Sequence, residues 1–172
     1  MKTQTSSGHR RAGFSLIEVT MATLVTGILL SGSLAAFAQL HGRQKSMAIM
    51  EFADLIEHDL MQEIISFPYS EPSVTTVSTG PDAGETSRSL YDDIDDYHGW
   101  TESFATTRTG SAIPAGGRFR RSVTVEFVRT SNMAIPSLTN QGARVITIVV
   151  SLDGQPISSL QAYRTQTDNQ VP

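Results

Sequence analysis

Four aspartates crowd one short stretch, Asp92, Asp93, Asp95 and Asp96, inside Leu90-Tyr91-Asp92-Asp93-Ile94-Asp95-Asp96-Tyr97-His98-Gly99-Trp100. Closely spaced carboxylates supply the hard oxygen ligands that Ca²⁺ takes, and without a cation they repel one another. The spacing is not that of an EF-hand, which wants acidic or amide ligands at alternate positions, a central Gly and a closing Glu. Three readings stand side by side: a solvated acidic loop anchored by Tyr91, Ile94, Tyr97 and Trp100, a calcium site, and an epitope for a partner protein. Catalysis has little to work with. His9, His41, His58 and His98 are scattered, there is no cysteine, and Gly-x-Ser-x-Gly, His-Glu-x-x-His and a phosphate loop are all missing. His98 beside the aspartates is the one arrangement that would suit a catalytic metal.

The other chemically pointed residue is Glu18. It is the single formal charge in an apolar run from Phe14 to Leu40. About 20 apolar residues span a bilayer as a helix, and a carboxylate near the bilayer centre costs at least about 2.5–3.5 kcal/mol. Glu18 therefore needs a partner or a place near the interface. Lys2, Arg10 and Arg11 precede the run, so the positive-inside rule keeps the amino terminus cytoplasmic and sends the chain after Leu40 to the far side.

Arg10-Arg11-Ala12-Gly13-Phe14-Ser15-Leu16-Ile17-Glu18-Val19-Thr20, a basic leader running into an apolar helix, resembles the processing site of type IV pilins and pseudopilins. The resemblance implies cleavage by a prepilin peptidase between Gly13 and Phe14, N-methylation of Phe14, and a Glu18 carboxylate that meets the Phe14 ammonium of a neighbouring subunit. A buried charge is tolerated when paired, and loss of one partner strands the other. It also implies sister pilins and an inner-membrane assembly platform as partners. Residence would be in the inner membrane with the carboxy-terminal domain periplasmic, and later in a filament. Many major pilins have a carboxy-terminal disulfide and a proline in the long helix. This chain has no cysteine and no proline between Phe14 and Phe67, which favours a minor pilin or pseudopilin. The aspartate stretch is similar to a segment of minor pilin-like proteins, including those of mannose-sensitive haemagglutinin pili, and some major pseudopilins hold a structural calcium. Against this stands an ordinary export signal. Arg10-Arg11 loosely suggests a twin-arginine signal, and Ala36-Phe37-Ala38 a cleavage that would release a periplasmic binding or metal-dependent domain after Ala38.

The elements around these residues follow from periodicity. Ile49, Phe52, Ala53, Ile56, Leu60 and Ile64 recur at three- and four-residue steps, with Glu51, Asp54, Glu57, His58 and Gln62 on other faces. This predicts an amphipathic continuation of the helix over 41–67, stopped by Pro68. Residues 68–117 read as a variable loop, with a short edge strand over Ser73–Thr79 and a turn at Pro81-Asp82-Ala83-Gly84. Strands are predicted within Arg118–Thr130, Ala143–Leu152 and Gln155–Thr165. Asp153-Gly154 is a type I′ hairpin signal, and Asn132–Gly142 a loop. Arg118, Arg120 and Arg121 read as a solvated rim at a strand start, or as a cluster facing the aspartate loop or an acidic neighbour.

The chain thus divides into a cleaved leader (1–13), a membrane or filament-core helix (14–40), its amphipathic continuation (41–67), the loop region (68–117), an antiparallel sheet (118–166) and a frayed tail (167–172). The fold class is α+β, a long helix on a small antiparallel sheet, as in pilins, because a sheet cannot bury its apolar face alone. The chain of 172 residues carries a net charge of −4, and loss of the leader's three positive charges leaves −7. That balance argues against nucleic acid as a ligand.

Overall fold

The computed structural model describes residues 13, 15–70 and 79–166. Phe14, most of the leader, the expected strand over Ser73–Thr79 (save Thr79 itself) and the tail 167–172 lie outside the described residues. Helix α1 runs Leu16–Ile65, 50 residues, and four strands come after it: β1 Phe119–Arg129, β2 Asn132–Pro136, β3 Ala143–Leu152 and β4 Gln155–Thr165. The chain divides after Ser46 into two units.

In the first unit, the described part of α1 is exposed all round. The hydroxyls within its apolar run to Leu40 do not break the helix, because each is satisfied locally. Thr20, Thr23, Thr26, Ser31 and Ser33 each donate to a carbonyl three or four residues back, at 2.7–2.9 Å. A polar group bonded this way does not oppose an apolar surrounding.

In the second unit the rest of α1 lies on an antiparallel sheet of order β2-β1-β3-β4, an α+β arrangement resembling the pilin fold. The helix buries Ala53, Ile56, Leu60 and Ile64, the stripe predicted from spacing, and ends at Ile65, just ahead of Pro68. Leu60 and Ile64 pack in one cluster with Tyr69, Tyr97, Val123 and Ile146. Ala53 and Ile56 pack with Ala105, Phe119 and Val150. Glu57, placed by its sequence among the solvated residues, is only 2% exposed. Ser158 Oγ donates to its Oε2 at 2.6 Å and the Leu160 N–H also bonds it, so Glu57 closes part of the open edge of β4.

β1 and β3 are the inner strands, in register through Val123↔Ile148 and Val125↔Ile146. β3 and β4 form the expected hairpin, with Asp153 at φ 50° and Gly154 at φ 84°, the doubly positive geometry of a type I′ turn. The expected loop over Asn132–Gly142 differs: its first part is β2, which takes up the end of β1 through Val128↔Pro136 and Arg129↔Asn132. Pro136 is tolerated because β2 is an edge strand, where a missing N–H leaves no ladder bond unmade.

The described residues of the region 68–117 form a layer stitched to the outer edge of β1. Gly99 and Glu102 donate their N–H groups to Val123 and Arg121 carbonyls, both at 3.1 Å, and Val123 N–H donates to the Trp100 carbonyl at 2.9 Å. Val125 N–H donates to His98 Nδ1 at 3.2 Å. This makes His98 an acceptor at Nδ1, a structural role that fixes its tautomer.

Candidate functional site

Two places answer to the sequence-predicted site residues. The first is the start of α1. Gly13 is exposed, and a Cβ there would meet nothing within 4 Å. Ser15 precedes the first helical residue and its carbonyl accepts from Glu18 N–H at 3.0 Å and Val19 N–H at 3.2 Å. Ser15-Leu16-Ile17-Glu18 has the spacing of a capping box, and Glu18 lies in the first turn, where the helix dipole favours a carboxylate. Around it the surface is apolar: Leu16 is 85% exposed and Ile17 69%. The helix is long and apolar enough to cross a membrane, and its most apolar window has no buried residue.

The second place is the aspartate loop, where the solvated reading is corrected. Asp93, Asp95 and Asp96 are buried and Asp92 alone is exposed. The burial is tolerated because the carboxylates turn onto backbone and one cation. Asp96 Oδ2 accepts from the N–H groups of Asp92 at 2.9 Å and Asp93 at 3.0 Å. Asp93 Oδ1 accepts from Asp95 N–H at 2.6 Å. Asp95 pairs with Arg144 of β3, which is fully buried between the rings of Tyr69 and Phe127. Burial pushes the Asp95 carboxyl up to about 7 against the pull of Arg144.

Of the four aspartates proposed as ligands, only Asp92 and Asp96 converge, and they do so with Glu85, an acid that its place in the sequence does not single out. One carboxylate oxygen from each of the three lies within 4.8 Å of the others. Asp93 and Asp95 are directed elsewhere. The donor set suits a hard cation, which would take its remaining oxygens from carbonyls and water. Without a cation the cluster stores repulsion. Burial, with Asp96 and Asp92 beside it, pushes Glu85 up to about 7. A carboxyl whose folded value is raised contributes stability fully below its unfolded value of 4.5, and that stability is lost as pH rises towards about 7. The melting temperature of the folded domain is therefore expected to fall across that window, and Glu85→Gln to flatten the fall. A profile unchanged by Glu85→Gln refutes the assignment.

The basic cluster at the start of β1 divides between a solvated rim and acidic neighbours. Arg118 pairs with Asp153 at the surface and Arg120 is exposed. Arg121 is fully buried, paired with Glu102, and donates to the Ile56 carbonyl of α1 at 3.0 Å and to the Thr106 carbonyl at 2.5 Å. It faces Glu102, not the aspartates. A third pair completes the set: Arg88 forks onto Glu63 of α1 at 2.8 and 2.5 Å, and Tyr97 O–H donates to the same carboxylate at 2.5 Å. Burial pushes Glu63 up, but Arg88 and Tyr97 outweigh it and hold it below the ordinary carboxylate value. A signal for the two strand arginines was present. Arg121 alternates in phase with Val123 and Val125, and Arg144 with Ile146 and Ile148, so each had to face the core. No family model, no curated protein and no solved structure matches this chain, so its function is read from the two sites themselves.

Proposed function

We propose that this chain is a structural subunit, a minor pilin or pseudopilin, of a type IV pilus or a type II secretion pseudopilus, and not an enzyme. The observation that carries the reading is the division of labour along α1. Its second half is the core of its own β domain, while its first half is an unpartnered apolar surface with one carboxylate in its first turn. Such a surface needs lipid before assembly and other helices afterwards. Prepilin peptidase would cut after Gly13, leaving the chain in the inner membrane with its domain periplasmic. Glu18 would then pair with the Phe14 ammonium of the next subunit on the assembly platform. Calcium at Glu85, Asp92 and Asp96 would brace the loop layer by removing their mutual repulsion. At neutral pH, added Ca²⁺ should raise the melting temperature of the native chain. Asp96→Asn should abolish that response, and Asp92→Asn should weaken it.

The test is the mature amino terminus, read by mass spectrometry from membranes with native processing, together with Glu18→Ala. The expected chain begins at N-methylated Phe14. Glu18→Ala should still be cleaved, but loss of the pair strands a buried ammonium at about 3–5 kcal/mol, so incorporation into filaments falls at least about tenfold. A chain beginning at Gln39 would mean an export signal released after Ala38 and a soluble domain. Normal filament assembly by Glu18→Ala would sink the pairing.

A further inference from the structure

A cavity of about 340 Å³ opens in the loop layer of the second unit, lined by Arg88, Trp100, Glu102, Thr107, Arg108 and Thr109 among others. That volume is at the small end of ligand pockets, about 300–1,000 Å³. Its charges do not cancel. Arg88 is answered by Glu63, and Arg121, behind Trp100, by Glu102. Arg108 has no carboxylate within 4 Å among the described residues. Its Nη2 donates to the Tyr91 carbonyl at 2.7 Å, its Nε is enclosed without a hydrogen-bond partner, and its guanidinium lies 4.5 Å over the Phe67 ring. The stacking and the carbonyl hold this cation in place before any ligand arrives, so little ordering is left to oppose binding. Three guanidinium groups against two carboxylates leave one net positive charge. Two exposed hydroxyl pairs, Ser87 with Ser89 at 2.9 Å and Thr107 with Thr109 at 3.1 Å, add neutral donors and acceptors.

We propose that this cavity binds a small polar ligand through a single carboxylate paired with Arg108, with the Ser and Thr hydroxyls taking its polar body. A monoanion matches the one uncompensated charge, whereas the Glu102 carboxylate in the wall opposes a dianion such as phosphate. The site stands apart from the filament reading and does not depend on it.

Trp100 is the only tryptophan and lines the cavity, so intrinsic fluorescence of the full chain in detergent micelles reads occupancy directly. The probes are N-acetylglycine, a stand-in for a peptide carboxyl terminus, and glucuronate, a sugar acid, at constant ionic strength, with glucose and inorganic phosphate as controls. At least one carboxylate should give a saturable change, and the stronger of the two names the source. Phosphate and glucose should bind at least about tenfold more weakly, and Arg108→Gln should weaken the carboxylate at least about tenfold. Arg118→Gln, at a surface pair elsewhere, should change nothing. If Arg108→Gln does not fold, Thr107→Ala/Thr109→Ala, altering only exposed hydroxyls, should weaken binding severalfold. The proposal is overturned by no saturable change with either carboxylate up to about 50 mM, by phosphate or glucose matching them, or by folded variants that bind as the native chain does.

Discussion

Arg144→Met is expected to destabilise the folded domain by about 3–5 kcal/mol, the range for stranding one partner of a buried ion pair. Arg144 is 0% exposed and Asp95 is 5% exposed. Asp95 sits at the start of a short 3₁₀ turn, Asp95–Tyr97, whose tyrosine is wholly buried in the core. Methionine fills much the same space but leaves the Asp95 carboxylate without its cation, and removes the donor to the Tyr69 carbonyl at 2.6 Å. The double variant Asp95→Asn with Arg144→Met should recover more than half of the loss, because no charge is then left unpaired. Denaturant unfolding of the full chain in micelles, followed through Trp100, measures both. A loss below about 1 kcal/mol for the single variant, the scale of a surface pair, would mean that Asp95 takes up a proton when Arg144 is removed or that water reaches the pair.

Glu63→Ala comes next, at about 3 kcal/mol, the lower end of the same range because Glu63 keeps some contact with water. The carboxylate is where α1 holds the loop layer: it accepts the Arg88 fork and the Tyr97 hydroxyl together. The loss should depend on pH. A carboxyl held below its ordinary 4.5 contributes stability that is present above that value and is lost as pH falls through its lower folded value. Native chain and Glu63→Ala should therefore differ most above pH 4.5 and converge below it. A constant difference down to strongly acidic pH would show that the lost contribution is packing rather than charge.

The elements that could be read from sequence are those whose cause is local. Ala53, Ile56, Leu60 and Ile64 announce a buried stripe by their spacing, and Asp153-Gly154 announces its hairpin because two consecutive left-handed residues admit few side chains. β2 was not legible. Asn132–Pro136 has loop composition, and it becomes a strand because the end of β1 leaves backbone groups that need partners. The aspartates were half legible: four carboxylates in a row were plain, but three of them turn inward. The Asp93 bond to the N–H two residues on is the habit of Asx turns, so a local rule was available there. No local rule brings Glu85 to Asp92 and Asp96, or Asp95 to Arg144.

By itself the sequence determined the apolar first half of α1, the position of Glu18 within it, the amphipathic second half and the hairpin of β3 and β4. Each rests on side-chain periodicity or turn chemistry within a few residues. Which partners answer the inner charges depends on the tertiary structure. Strand phase points Arg121 and Arg144 at the core, but a lone buried arginine is costly, and phase does not say what would pair with it. Arg88, Arg121 and Arg144 are tolerated because the fold delivers Glu63, Glu102 and Asp95 to them from elsewhere in the chain. Among the described residues, the same gathering left Arg108 with no carboxylate within 4 Å, because ion pairing depends on distance in space and not on spacing along the chain.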